Sequence, residues 1–161
     1  MTMAVQIAVV GGSDATAPVV AAAEAIGAAL ASAGATLVCG GLGGVMAAAC
    51  RGARSAGGTT IGILPGADPS VANPWVDVVI ATGLGEARNA LVIGSAGAVI
   101  AVDGEYGTLS EIALALRAGT PVVGVGTWSL IRPDGQPDSG IIPVEDPRQA
   151  VALAMRLASS R

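Results

Sequence analysis

Short, continuous apolar runs recur along this chain, each closed by a polar or glycine-bearing turn and each followed by a helix-like stretch, and this alternation restricts the fold more than any other feature. Residues 5–10, 35–39, 59–64, 76–81, 98–102 and 121–125 read as strands. Residues 17–33, 45–56, 86–95, 108–118 and 147–159 read as helices, the last with a proline at its start. Strands that are apolar at every position are buried on both faces, which is the situation of a parallel sheet between two helical layers. The expectation is a single α/β domain with a doubly wound parallel sheet. The Pro- and Gly-containing segment 126–144 reads as a surface excursion.

A chain of 161 residues suits one compact domain with one core. It has no phenylalanine, one tyrosine and two tryptophans, so that core must be built from Ala, Val, Ile and Leu. Small side chains imply helices packed close to the sheet. The long uncharged stretch 25–50 is too interrupted for a membrane span, because Gly34 and the cluster 40–44 divide it into helix, turn, strand and turn. The N-terminus has no basic region and its first apolar run stops at Gly11-Gly12, so no secretory signal is read and a cytoplasmic location is expected. Cys39 and Cys50 lack metal-ligand spacing and read as reduced core thiols; no metal site and no resident cofactor are expected.

Histidine and lysine are both absent, and all eight basic residues are arginine. Pyridoxal phosphate chemistry, which needs a lysine amine, is thereby excluded, as are the lysine-dependent phosphate loop and Ser-His-Asp catalysis. Carboxylates, arginines, hydroxyls and backbone dipoles remain. The net charge of −4 and the scattered arginines give no footprint for nucleic acid or an anionic membrane.

In doubly wound sheets ligands bind beyond the carboxyl ends of the strands, where strand order reverses. Glycine-bearing turns follow the expected strands there: Gly11-Gly12-Ser13, the run Gly40-Gly41-Leu42-Gly43-Gly44, Thr82-Gly83-Leu84-Gly85-Glu86-Ala87-Arg88-Asn89, and Asp103-Gly104-Glu105-Tyr106-Gly107-Thr108-Leu109-Ser110-Glu111. A strand that ends in a glycine turn and opens a helix aims free N–H groups and the positive helix end at an anion such as phosphate.

Cys39-Gly40-Gly41-Leu42-Gly43-Gly44-Val45-Met46 and the stretch 104–111 resemble the glycine-rich loop and the Pro-Gly-Gly-x-Gly-Thr-x-x-Glu signature of the LONELY GUY (LOG) family. The resemblance runs from the first strand to Val125. Segments 57–66 and 82–89 look most similar to the branch that includes molybdenum cofactor carrier protein. It implies a Rossmann-like fold, a homodimer, and hydrolysis of the N-glycosidic bond of nucleoside 5′-monophosphates to free base and ribose 5-phosphate. The label "possible lysine decarboxylase", often given to such proteins, does not fit a lysine-free chain. Carried over by position, the catalytic pair is Arg88 and Glu111. The ligand-binding set is Gly11, Gly12, Ser13, Gly40, Gly41, Gly43, Gly44, Val45, Met46, Asn89, Gly104, Tyr106, Gly107 and Thr108.

The chemistry is sound on those residue types, since a carboxylate stabilises an oxocarbenium-like transition state or activates water, and an arginine holds the ribose phosphate. Other readings stand beside it. Thr108-Leu109-Ser110-Glu111 has the form of a capping box, which would give Glu111 a purely structural role. Arg88 would otherwise pair with Glu86 or another acid. Tyr106 is placed to stack on a base, Trp75 and Trp128 read as packing or subunit-contact residues, and Asp134 and Asp138 as solvated turn positions. The chain departs from the signature at Asp103-Gly104-Glu105, which brings two carboxylates to a phosphate loop, and at Asn89, where the family has a lysine. The leading expectation is a phosphoribohydrolase. The alternatives are a non-catalytic carrier of molybdenum cofactor or a related phosphorylated pterin, and a regulatory nucleotide sensor.

Overall fold

The computed structural model describes residues 3–160. Seven parallel strands form one sheet: β1 (Gln6–Gly11), β2 (Thr36–Cys39), β3 (Thr60–Leu64), β4 (Val78–Ala81), β5 (Ala98–Val102), β6 (Val122–Val125) and β7 (Ile141–Pro143), in the order β4-β3-β2-β1-β5-β6-β7. Chain order reverses at β1, which lies between β2 and β5, and this makes the crevice above β1 and β5 the switch point of a Rossmann-like α/β fold.

Five α-helices cover the sheet unequally: α1 (Ala17–Ser32), α2 (Gly44–Ser55), α3 (Asn89–Gly94), α4 (Tyr106–Ala118) and α5 (Pro147–Ser159). Ile26 and Leu30 of α1, Ala49 of α2 and Ala154 of α5 pack with Ile7, Leu37 and Ile100 on one face. Val92 of α3 and Ile112 of α4 pack with Ala8, Val10 and Val99 on the other. The small-residue composition has its physical reason where α1 crosses α2. A Cβ on Gly27 would strike the backbone of Ala49, and one on Gly52 the carbonyl of Glu24, so the helices touch backbone to backbone. Arg51 of α2 closes the same contact from outside, its Nη2 meeting Glu24 Oε2 at 2.7 Å.

Element positions follow the sequence pattern closely, with β5 and α5 where expected. The segment 126–144 differs: it ends in β7, an edge strand pairing Val122 with Ile141 and Gly124 with Pro143. Proline is tolerated there because it closes a strand at a sheet edge. The helix expected over 86–95 splits into a 3₁₀ turn (Gly85–Arg88) and the short α3. The reason is that the chain leaving β4 stays tied to the turn after β3, with Gly83 N–H donating to Gly66 O at 3.0 Å and Gly85 N–H to Pro65 O at 2.9 Å. Cys39 and Cys50 are free and buried, Sγ to Sγ 3.5 Å. No helix among the described residues is long and apolar enough to cross a membrane.

Candidate functional site

A cavity of about 310 Å³ opens at the switch point, in the lower part of the size range of small-molecule sites. Each wall comes from the end of a different strand. Val9 to Gly11 end β1 and Gly12 to Asp14 follow it, Gly40, Leu42 and Met46 follow β2, Glu86, Arg88 and Asn89 follow β4, and Glu105, Gly107, Thr108 and Glu111 lie at the start of α4 after β5. Gly107 and Thr108 occupy the first turn of a 13-residue helix, where backbone N–H groups have no intrahelical acceptor.

Arg88 is the only cation on the lining among the described residues and is 6% exposed. Its Nη1 donates to the carbonyl of Ile63 at 2.7 Å, while Nε is buried without a partner. Gly40 makes room for it, since a Cβ there would run into the guanidinium and lie 2.8 Å from Met46 Sδ. We therefore expect Gly40→Ala to displace Arg88 and lower ligand affinity by about tenfold, read by calorimetric titration. An unchanged affinity would show that the guanidinium does not depend on that space.

Glu111 sits across the cavity, 8% exposed. It makes no hydrogen bond and no ion pair among the described residues. Burial pushes its carboxyl up to about 7; the Arg88 charge pulls it down and the Glu86 charge pushes it up further. The capping-box reading fails on position. α4 starts at Tyr106, the residue at its N-cap is Glu105, and Thr108 lies inside the first turn, so Glu111 is in the second turn and caps nothing. The Arg88–Glu86 ion pair is likewise absent; Glu86 Oε2 instead accepts from Asn89 Nδ2 at 3.3 Å. Asn89 also reaches Ser110 Oγ at 3.3 Å, which leaves its Oδ1 buried without a donor.

Ten of the sequence-derived site residues line this cavity: Gly11, Gly12, Ser13, Gly40, Met46, Arg88, Asn89, Gly107, Thr108 and Glu111. Gly41, Gly43, Gly44, Val45, Gly104 and Tyr106 do not. Val45 is fully buried and its N–H donates to Gly12 O at 3.0 Å. Gly44 holds φ at 58° where a Cβ would strike the Gly12 and Ser13 backbone, so it keeps the first and second turns together. Gly41 donates its N–H to Cys39 Sγ at 3.3 Å, and Gly104 (φ 104°) is packed on the Thr108 side chain. Gly43 is the N-cap of α2. Tyr106 is 79% exposed, and its ring lies against Trp128 with centroids 5.8 Å apart. Trp75 packs on the core, with Arg51 over its ring at 5.3 Å.

Of the two unexpected carboxylates, Glu105 lines the cavity and Asp103 does not. Asp103 is held in the left-handed region (φ 48°) as its carbonyl accepts from Thr127 Oγ1 at 2.6 Å. Asp14 and Leu42 also line the cavity, as does Glu86, which the sequence suggested only as an ion-pair partner for Arg88. Asn73 is a further contributor that sequence reasoning missed. It clasps the glycine loop twice, N–H to Gly41 O and Nδ2 to Leu42 O, both at 2.9 Å. Its local bonds, Trp75 N–H to Oδ1 at 3.1 Å among them, mark only a turn, and the loop it clasps is 31 or more residues away.

Residues 4–151 match the SLOG cluster4 family. A protein of Archaeoglobus fulgidus, described only as uncharacterized, is 43% identical over 117 residues, which cover 73% of this chain and 77% of that one. The molybdenum cofactor binding protein of the phototrophic bacterium Rippkaea orientalis superposes with a TM-score of 0.87 at 32% identity, over 98% of this chain and 99% of that one. The Moco carrier protein of Chlamydomonas reinhardtii superposes at 0.84 and 34% identity, over 99% of this chain and the whole of that one.

Proposed function

Because this chain belongs to the SLOG cluster4 family, we propose that it binds a phosphorylated small molecule at the switch point, and that this molecule is a phosphorylated pterin of the molybdenum cofactor type, held as cargo. The observation that carries the reading is the end-to-end likeness to two proteins described as binding or carrying that cofactor. The cavity fits one end of such a ligand well. The first-turn N–H groups of α4 and the Arg88 guanidinium supply the donors a phosphate needs, each charge-assisted bond contributing roughly 1.5 to 3 kcal/mol. Neither Cys39 nor Cys50 lines the cavity, so the chain offers no thiolate to the metal and holds its cargo through the organic part.

The test is retention of cofactor freed from a molybdoenzyme without oxygen. Wild-type protein is expected to carry it through gel filtration at one equivalent per chain, read as fluorescent oxidised pterin. Elution of all pterin at the small-molecule position would overturn the reading.

Glu111 gives a specific reason to keep a second reading, N-glycosidic hydrolysis of a nucleoside 5′-monophosphate. A carboxyl held up to about 7 beside an arginine, inside a cavity of about 310 Å³, is poised to give or take a proton near neutral pH. Release of free base by wild type and not by Glu111→Gln would move the protein from carrier to enzyme.

A further inference from the structure

Resting on the phosphate reading of this cavity, we infer that the ligand enters with one divalent cation of the Mg²⁺ class, shared between the Glu86 and Glu111 carboxylates and the phosphate. Carboxylates outnumber cations on the lining four to one among the described residues: Asp14, Glu86, Glu105 and Glu111 against Arg88. A lining of that charge repels a phosphate dianion unless a second cation comes with it. Glu111 makes the conflict local. It stands three residues after Thr108 on α4, both are buried and both line the cavity, so their Cβ atoms are about 5 to 6 Å apart on one helix face. A phosphate on the first-turn N–H groups therefore lies beside the Glu111 carboxylate, which is only 8% exposed and has no hydrogen bond or ion pair among the described residues.

Glu86 is the second carboxylate within reach. Asn89 Nδ2 lies 3.3 Å from both Glu86 Oε2 and Ser110 Oγ, so one amide ties the Glu86 carboxylate to the stretch of α4 that carries Glu111. The same amide leaves Oδ1 buried without a donor, a further oxygen that the protein alone does not satisfy. The donor set selects the cation. The chain has no histidine and neither cysteine reaches the lining, so the charged ligands are carboxylate oxygens, which suit Mg²⁺ and Mn²⁺ rather than softer ions. No group of three or more metal-ligating side chains converges among the described residues, as a dedicated cage would require. Mg²⁺ needs none: it keeps several waters and takes one or two carboxylates plus the phosphate of its ligand. The protein by itself is thus a weak cation site, and phosphate completes it.

Mn²⁺ and methyl phosphate test this on the full chain at one fixed pH, the first followed by loss of the free-ion electron paramagnetic resonance signal and the second by calorimetric titration. Allowing for the complex the two form without protein, saturating methyl phosphate is expected to tighten Mn²⁺ binding by at least about tenfold, and Mn²⁺ to tighten methyl phosphate by the same factor relative to EDTA. Glu86→Gln and Glu111→Gln should each abolish that gain, yet in EDTA bind methyl phosphate at least as tightly as wild type, because a repelling charge has gone. The reversal separates a cation ligand from a residue that only shapes the cavity, whose loss weakens binding in both conditions; thermal unfolding checks that the variants fold. Equal methyl phosphate affinity in Mn²⁺ and in EDTA would overturn the cation and leave the phosphate site standing. No methyl phosphate binding in either would overturn both, and a gain that survives both substitutions would overturn the assignment to these two carboxylates.

Discussion

Glu111→Gln is expected to stabilise the fold above neutral pH by on the order of 3 kcal/mol and to leave it nearly unchanged below about pH 4. Burial holds the native carboxyl up to about 7, against the 4.5 of an unperturbed glutamate. Between those two values the native state holds a proton that the unfolded chain has released, so wild-type stability falls as pH rises through that window and the loss is complete above it. Glutamine has no proton to lose. Its thermal midpoint should exceed that of wild type by roughly 5 to 10 °C at about pH 8, and converge with it in acid. Binding should show the same group. An anionic ligand in the cavity favours the protonated carboxyl, so wild-type affinity for inorganic phosphate or a nucleoside monophosphate falls by about tenfold per pH unit above 7, while Glu111→Gln stays flat. Parallel stability curves for the two proteins across the whole range would show that Glu111 ionises as freely in the fold as out of it.

Arg88→Met is expected to cost the largest share of ligand affinity. Arg88 is the only positive charge on the lining among the described residues, beside the carboxylates of Asp14, Glu86, Glu105 and Glu111. Removing it leaves an anion facing acidic groups, a loss of about 2 to 5 kcal/mol, or between roughly 30-fold and several thousandfold in the dissociation constant. Stability should change far less. Methionine keeps most of the buried volume; the unpaired carbonyl of Ile63 costs about 1 to 3 kcal/mol, and relief of a desolvated charge offsets part of it. The two predictions are coupled, because Arg88 is what pulls the Glu111 carboxyl down. In Arg88→Met the pH window should therefore extend upward. Calorimetric titration and pH-dependent unfolding check both points, and an affinity within about threefold of wild type would remove Arg88 from the binding site.

The layered sheet was legible because its signal is redundant. β5 is a continuous apolar run, and α5 announces itself with Pro147 and with Asp146, whose carboxylate accepts from Gln149 N–H at 3.2 Å. β7 was not legible, because a three-residue edge strand ending in proline has neither length nor periodicity. At the site, Arg88 leaves the edge strand β4, separated from β5 by three strands, so it is the crossover from β4 back to β5, and not strand order, that brings it to the cavity with Glu111. The glycines were a blunter guide. A glycine marks a place where backbone must turn or come close, and at Gly41, Gly44 and Gly104 the close approach is to the protein itself rather than to a ligand. α4 starts two residues ahead of the expected Thr108, and that shift takes the capping role away from Glu111.

Asn73 sits in the crossover from β3 to β4, yet both of its clasping bonds go to the loop after β2. The crossover is thus a brace as well as a connection, and its length is geared to the ligand end of the sheet. Shortening or lengthening a surface segment is ordinarily tolerated, because the cost grows only slowly with loop size. Here a one-residue change between β3 and Asn73 would leave every strand in register and still slacken the loop that carries Gly40, so this stretch gives evolution a way to retune ligand preference without touching any residue in the cavity.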